Sequence, residues 1–301
     1  MVNLKAGEPF GIDSTELAKI DWSLALKRVV EDLRSDFIYA PHLAFIYSKA
    51  GDELVAQLKA ALKAGVFNSG VPITIEVQKS FRVRVAGTRK RLGPSFSRAG
   101  SILLPGDRLL YQALADRAAP IIEAKTDQAR SFSHRLRSAD LAKMFVPPRV
   151  CWYFLQKALR KRAAVKSVRY ILKVDVANFF GSINQHTLIN VLNDSGYPKS
   201  LSTRLESILT SYTGERSSRG ILQGIFPSDL LGNFYMVPVD RFLDDCGVGS
   251  ARYVDDMYIF VKSVEAANHL LRELIPFLCQ FALNCDPHFA SNSDPVMRGV
   301  R

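Results

Sequence analysis

The chain has 301 residues, of which 48% are hydrophobic, so it is long enough to bury one large core or two smaller ones. Its 40 Lys and Arg residues against 29 Asp and Glu residues give a formal net charge of +11, which favours a polyanionic partner without identifying one. No apolar run is long enough to span a membrane, and the first residues lack the pattern of a signal peptide. The four cysteines have no CxxC spacing, which argues against a zinc site or a disulfide framework, and we expect a cytoplasmic protein that does not bind membranes.

The first half of the chain predicts helices followed by strands. Helical apolar spacing covers residues 14–34 and residues 51–64, and the second of these helices should stop near Gly65. Alternation of apolar and polar residues over 73–87 indicates strands, which lead into the basic segment TRKRLGPSFSRAG. A further helix should begin after Pro105.

The second half begins with a short apolar strand, RYILKVDV, and continues with helices and a hairpin. Ser228 is a candidate N-cap for the helix SDLLGNFYMVPVDRFLDD, which Pro238 should bend or split. The segment ARYVDDMYIFVKS predicts a strand, an acidic turn and a second strand, and a last helix is followed by a polar tail. This irregular alternation predicts an α+β fold with an antiparallel sheet at its centre.

Two adjacent aspartates, Asp255 and Asp256, interrupt the apolar hairpin. Adjacent carboxylates repel one another, and removing them from water is costly unless a cation compensates their charge. An exposed turn is the alternative interpretation, because Asp is common in turns. A third acid, Asp175, closes the strand RYILKVDV far upstream. Carboxylates at the ends of two neighbouring strands can bind a pair of Mg²⁺ ions, with Mn²⁺ as the alternative metal.

Three segments of the chain resemble the successive palm motifs of reverse transcriptases. They are VDVANFFGSI, GILQGIFPSDLLGN and YVDDM, in this order and spacing. Upstream, LLPGDRLLYQAL and SFSHRLRS resemble the fingers signatures of the same family, so the likeness covers roughly residues 80–290. The closest resemblance is to bacterial enzymes related to group II intron and retron reverse transcriptases, including abortive-infection and other phage-defence enzymes. It implies a right-hand polymerase with fingers and palm that adds deoxynucleotides to a primer 3′ end by two-metal-ion catalysis.

The resemblance assigns roles to individual positions. Asp175 and Asp255 match the two principal metal-binding aspartates, and Asp256 matches the third acid, which is usually less directly bound. Phe180 lies where the family has the aromatic steric gate that excludes a 2′-hydroxyl, although a core aromatic beside Phe179 would give the same pattern.

Other matched positions concern the nucleotide and the primer. Gln223 and Gly224 match the loop that lines the pocket of the incoming nucleotide, although Leu222 stands where many relatives have proline. Tyr253 matches a position near the primer end, and a plain strand tyrosine is the alternative interpretation.

Basic residues cluster where the fingers would cover the template and the triphosphate, although a solvated strand face explains any one of them equally well. They are Lys79, Arg82, Arg84, Arg89, Lys90, Arg91 and Arg98. Arg135, in the SFSHR stretch, is a better candidate for nucleotide binding than any single member of this cluster.

The sequence departs from the family pattern in two places. The family usually has a lysine shortly after a Leu-Asn pair, whereas here Leu283 and Asn284 are followed by CDPHF, with His288 near the expected position. The chain also ends at Arg301, which leaves few residues for a thumb, so we expect the thumb to be missing or minimal. Either this chain is a fragment, or a protein partner or a non-coding RNA supplies the grip on the duplex.

Three regions are predicted: an N-terminal helical extension over 1–70, fingers over 71–165 and a palm over 166–301. The expected partners are an RNA template, a DNA primer or product and deoxynucleoside triphosphates. The sequence leaves open whether the chain forms homo- or hetero-oligomers. The leading hypothesis is an RNA-directed DNA polymerase in a bacterial anti-phage system. The alternatives are an untemplated or protein-primed DNA polymerase and a non-catalytic RNA-binding module with the same fold.

Overall fold

The computed structural model of the protein describes residues 12–36, 38–78, 97–213 and 217–291. The strands in these ranges are β1 (Ile73–Gln78), β2 (Ser97–Ile102), β3 (Tyr170–Val176), β4 (Gly249–Tyr253), β5 (Asp256–Val261) and β6 (Cys285–Ser291). Strands β4, β5, β3 and β6 form a four-stranded sheet in that order, and every neighbouring pair in it is antiparallel. Strands β1 and β2 pair as a separate antiparallel ribbon. The predicted α+β class with a central antiparallel sheet is confirmed.

Helices precede and separate these strands. They are α1 (Ser14–Ala18), α2 (Trp22–Ser35), α3 (Pro41–Ala64), α4 (Pro105–Lys125), α5 (Pro148–Ala163), α6 (Phe179–Ser182), α7 (Gln185–Asp194), α8 (Lys199–Tyr212), α9 (Phe226–Tyr235), α10 (Val237–Asp245) and α11 (Val264–Gln280). Among the described residues, no helix is long and apolar enough to cross a membrane.

The N-terminal helices differ from the prediction in their bounds. The single helix expected over 14–34 is divided into α1 and α2, because the Asp21 carboxylate accepts the backbone N–H of Leu24 and starts a new helix there. The helix expected over 51–64 begins earlier, at Pro41, where the fixed φ of proline suits the first helical position. It ends as predicted at Gly65, whose φ of 70° is in the left-handed region.

Two predictions in the second half are corrected. Ser228 is not an N-cap, because α9 already begins at Phe226 with Ile225 in the capping position. The segment expected to be a polar tail contains the edge strand β6. Pro287 is tolerated there because an edge strand pairs on one side only and therefore needs fewer backbone donors. The predicted break near Pro238 is confirmed, since α9 ends at Tyr235 and α10 starts with this proline in its first turn.

The sheet separates two apolar clusters. Leu172, Val174 and Val176 of β3 lie in the larger core, which also contains side chains of α2, α4, α8 and α9. Because successive side chains of a strand point to opposite faces, Ile171 lies on the other face, where it packs with Leu155 and other side chains in a smaller cluster under α5. Helix α5 therefore covers part of the second face.

Helix α2 is fixed to α4 by two buried ion pairs. Arg28 Nη1 lies 2.6 Å from Asp116 Oδ1, and Asp32 Oδ2 lies 3.0 Å from Arg108 Nη2. Arg28 and Asp32 are four residues apart and therefore share one face of α2. The N-terminal helices thus share the core of the sheet, while the predicted boundaries at 70 and 165 stay predictions.

Candidate active site

The pairing of β3 with β5 brings acids from distant parts of the sequence together. The register pairs Val174 with Met257, and continuing it by one residue sets Asp175 opposite Asp256. Directly opposite residues of an antiparallel pair have their side chains on the same face, with Cβ atoms roughly 5 Å apart. Asp255 lies directly before Asp256, in the two-residue turn of Val254 and Asp255 that joins β4 to β5. All three predicted acids therefore lie at one end of the sheet.

Lys173 lies on the same face as these acids, because it is two residues before Asp175 on β3. Its Nζ is 2.9 Å from Asp256 Oδ1, and it also lies over the Tyr258 ring at 5.9 Å from the centroid. The hydrogen bond to Asp256 raises the pKa of Lys173, and the charge of Asp175 acts in the same direction. One ammonium group thus partly balances the cluster of carboxylates.

The turn between β4 and β5 is conformationally strained. Val254 has a φ of 58°, which a β-branched residue rarely adopts. Its backbone N–H donates to Ser133 Oγ at 2.8 Å, and its carbonyl accepts from Arg252 Nη1 at 3.0 Å. These two bonds hold the strained residue in place, so the position of Asp255 depends on groups outside the turn.

Arg252 is the largest fully buried side chain in the described residues and connects the hairpin to two helices. Its Nε lies 2.9 Å from each carboxylate oxygen of Asp240 on α10. Its Nη1 donates to Asn233 Oδ1 of α9 at 2.7 Å, and its Nη2 donates to the Asn233 carbonyl at 3.0 Å. Since Arg252 precedes Tyr253 directly, this network fixes the β4 end of the acidic turn.

The SFSHR stretch lies against the same hairpin. Ser131 forms a short parallel bridge with Arg252, and the Phe132 N–H donates to the Arg252 carbonyl at 3.1 Å. Ser131 Oγ also donates to Asn233 Oδ1 at 2.9 Å. The SFSHR stretch therefore supports the hairpin through a backbone hydrogen bond to Arg252 and a side-chain hydrogen bond to Asn233.

Arg135 is held within its own segment. Its guanidinium donates to the carbonyls of Ser131 and Gln128 and stacks over the Phe132 ring at 4.4 Å from the centroid. Partial burial lowers its pKa. Contact with a nucleotide phosphate would require some of these donors to change partner.

Phe180 lies in α6 and is partly buried. Its ring packs on Phe179 with centroids 5.3 Å apart, and both rings lie against Gly232 of α9. A Cβ on Gly232 would come within 3.0 Å of Phe180 Cε1, so a larger residue there would displace the ring. Gly232 therefore determines where the candidate gate can lie.

The loop with Gln223 and Gly224 is connected to Phe180 through the backbone. The Ile221 N–H donates to the Phe180 carbonyl at 2.9 Å, and Gly220 N–H donates to the Ile183 carbonyl at 2.8 Å. Gly224 has a φ of 87°, a conformation that only glycine adopts without strain. The structure thus brings the predicted gate and the predicted nucleotide loop together.

Tyr253 connects the acidic turn to α5. Its ring meets that of Trp152 edge to face, with centroids 5.4 Å apart, and burial raises its pKa. Trp152 and Tyr153 are nonetheless 45% and 62% exposed, next to a shallow groove of about 360 Å³.

Several predicted nucleic-acid contacts cannot be placed. Residues Lys79, Arg82, Arg84, Arg89, Lys90 and Arg91 lie outside the described residues, and Arg98 is described only as a backbone position of β2, opposite Val77. His288 is likewise described only by its register, opposite Lys173 on β6.

The carboxylates fit a divalent cation that the substrate helps to bind. Within the described ranges, no group of three or more His, Cys, Asp and Glu is arranged to hold a metal ion by itself. Asp256 is paired with Lys173, and Asp175 and Asp255 lie beside it. One or two carboxylates completed by substrate phosphates are a common set of Mg²⁺ ligands in polymerases.

Three further residues of the site, Arg252, Lys173 and Trp152, were not predicted from the sequence. A signal for Arg252 was present, because it is a charged residue within the otherwise apolar strand that leads into the aspartates. No comparable signal identified its partners, since Asp240 and Asn233 lie on two other helices.

A family model described as "Reverse transcriptase (RNA-dependent DNA polymerase)" matches residues 97–288, which is more than half of the chain. The chain belongs to the reverse transcriptase family. The resemblance found in the sequence is thereby confirmed, while the narrower likeness to group II intron, retron and defence enzymes stays a prediction.

Solved structures also match this reverse transcriptase. Two chains, from a "Partial Cas6-RT-Cas1--Cas2 complex" and a "Cas6-RT-Cas1--Cas2 complex", are each 20% identical over 80% of this chain, with a TM-score of 0.37. This chain spans 41% and 26% of their respective lengths. None of the curated proteins matches.

Replacing Arg252 by Met should destabilise the protein by about 3–5 kcal/mol, because the Asp240 carboxylate would remain buried without its partner. The free energy of unfolding in urea measures this cost. In the double variant Arg252→Met with Asp240→Leu, most of the lost stability should return, because no charge is then left unpaired. A loss below about 1 kcal/mol in the single variant would contradict the role assigned to this ion pair.

Proposed function

We propose that this chain forms the fingers and palm of an RNA-directed DNA polymerase that adds deoxynucleotides to a primer 3′ end by two-metal-ion catalysis. The observation that carries the proposal is the β3–β5 register, by which Asp175 is opposite Asp256 and next to the turn with Asp255. Family membership supports the same chemistry. A place in bacterial anti-phage defence is part of the proposal and rests on the resemblance of the motifs alone.

The proposed roles of the acids follow from their neighbours. Asp175 and Asp255 would hold Mg²⁺ ions, which when bound activate the primer 3′-hydroxyl and neutralise charge on the leaving pyrophosphate. Asp256, paired with Lys173, would contribute negative charge and position this ammonium group beside the site. Lys173 limits repulsion among the three carboxylates before substrate binds.

The incoming nucleotide is proposed to lie between Phe180 and the Gln223–Gly224 loop. The hydrogen bond from Ile221 to the Phe180 carbonyl couples these two sides. The Phe180 ring, whose position is limited by Gly232, would leave no room for a 2′-hydroxyl. The enzyme would therefore prefer deoxynucleotides.

We propose that one face of α5 binds the nucleic acid next to the catalytic hairpin. The opposite face of the helix is buried through Cys151, Leu155 and Leu159. The outward face combines exposed aromatic rings with cationic side chains at helical spacing: Arg149, Trp152, Tyr153, Lys157 and Arg160. Exposed rings can stack on bases while cations attract phosphates, and the contact of Trp152 with Tyr253 makes this face continuous with the hairpin.

Replacing Asp255 by Asn should lower deoxynucleotide incorporation at least about a hundredfold, because a neutral amide binds a divalent cation poorly. Incorporation of labelled deoxynucleotide on an RNA template and DNA primer is the measurement. Asp194→Asn is the matched control, since Asp194 is an exposed carboxylate at the end of α7 and should keep full activity. Equal activity of Asp255→Asn and wild type would overturn the proposed function.

Replacing Phe180 by Ala should raise the ratio of kcat/KM for ribonucleotides over deoxynucleotides by roughly tenfold or more, because space opens for the 2′-hydroxyl. Single-nucleotide extension with each nucleotide measures the ratio. The control is Phe45→Ala, which removes an exposed phenylalanine ring on α3 and should leave the ratio unchanged. An unchanged ratio in Phe180→Ala would remove Phe180 as the gate.

Replacing Trp152 or Tyr153 by Ala should weaken binding of a labelled RNA–DNA primer-template by roughly fivefold or more, as expected from the loss of stacking. Fluorescence anisotropy across salt concentrations should show the same salt slope as wild type. In contrast, Lys157→Gln should lower that slope by about one. Tyr39→Ala removes an aromatic ring that is 90% exposed outside α5 and should bind like wild type. Wild-type affinity in both the Trp152→Ala and the Tyr153→Ala variant would exclude this face of α5 as a nucleic-acid binding surface.

A further inference from the structure

The helix that follows the nucleotide loop lacks a cap of its own. Ile225 is in the N-cap position of α9, and its side chain cannot accept a hydrogen bond. The first-turn N–H groups of a helix need partners, and Pro227 removes only one of them. A partner for the Phe226 N–H must therefore come from outside α9.

That partner is Asp32, from helix α2. Its Oδ2 accepts the Phe226 N–H at 3.0 Å, although the two residues are 194 positions apart in sequence. Asp32 is 2% exposed, so this bond is shielded from water. A carboxylate at this end of α9 also interacts favourably with the helix dipole.

Asp32 is held rigidly by a cation. Arg108 of α4, itself 2% exposed, donates to Asp32 Oδ2 from Nη2 at 3.0 Å and to Asp36 Oδ2 from Nη1 at 3.1 Å. Burial raises the pKa of Asp32 to about 7, and the charge of Arg108 opposes this shift. The two carboxylates share one guanidinium, but among the bonds found in the described residues only that of Asp32 reaches the α9 end.

The nucleotide loop is thus fixed at both ends. At one end the Ile221 N–H is bonded to the Phe180 carbonyl, and at the other the Phe226 N–H is bonded to Asp32. Gln223 and Gly224 lie between these two anchors. We propose that Asp32 is a positioning residue for the nucleotide pocket, so that the N-terminal helix α2 sets the affinity for the incoming nucleotide. This inference rests on the proposed polymerase function.

The first test measures the loop itself and does not depend on activity. In hydrogen exchange followed by mass spectrometry, Asp32→Ala should increase exchange in the peptide containing residues 221–230 by roughly tenfold. Asp36→Ala is the matched control, because it removes the other carboxylate of the same cluster and leaves the Phe226 bond in place. Equal exchange of this peptide in the two variants would overturn the positioning role.

The second test measures nucleotide use. Asp32→Ala should raise KM for deoxynucleotides about tenfold with a smaller change in kcat, while Asp36→Ala should leave KM near the wild-type value. Asp32→Asn keeps an oxygen that can accept the Phe226 N–H, so it should restore most of the affinity for deoxynucleotides. It also replaces the Ala variant in this test if Asp32→Ala folds poorly. An equal KM in all three variants would overturn the inference while leaving the polymerase proposal intact. A wild-type chain that incorporates no nucleotide would instead contradict the polymerase proposal, and the exchange measurement would still decide the role of Asp32.

Discussion

The antiparallel pairing of β3 with β5 is the constraint on which the candidate site depends. A shift of one residue in this register would turn either Asp175 or Asp256 to the opposite face of the sheet, into the larger core. The alternation of buried side chains on both strands opposes such a shift, because Leu172 and Ile259 belong to the core on one face while Ile171 and Phe260 belong to the cluster under α5. The packing of two apolar clusters therefore fixes the geometry of three carboxylates.

The turn of the hairpin is energetically less favourable than the two strands that it joins. It contains a valine in the left-handed region and adjacent aspartates at its tip, and each of these features costs free energy. The compensation comes from buried polar groups on other elements: Arg252 with Asp240 and Asn233, and Ser133 on the SFSHR segment. Strain concentrated at a functional turn and supported by its surroundings is a recurrent arrangement in active sites.

The N-terminal helices contribute to the site through the same kind of buried charge. Asp32 and Arg108 connect α2 and α4 to the start of α9, so the loop before α9 is attached to helices from the first half of the chain. An ion pair of this kind gives little net stability, since its desolvation offsets most of the attraction. The main effect of this ion pair is to determine which residues contact one another.

The sequence predicted the elements with strong local patterns. Strand β3, the β4–β5 hairpin and helix α4 follow from apolar periodicity and from Pro105, and the three acids follow from their motifs. Strand β6 was missed because CDPHF has no strand pattern and is paired only through β3. The start of α9 was misplaced because its first N–H is capped by Asp32, which is distant in sequence, and not by a local Ser. Contacts such as Arg252–Asp240 and Trp152–Tyr253 depend on the packing of separate elements, which no local pattern encodes.

The most direct test of the central claim is a crystal structure of this chain with primer-template, a deoxynucleotide and Mn²⁺, examined for anomalous scattering by the metal. We expect anomalous density within bonding distance of carboxylate oxygens of both Asp175 and Asp255, at the end of the β3–β5 pair. Density bound to the nucleotide phosphates but to neither aspartate, or a β3–β5 register that puts Asp175 on the core face, would contradict it.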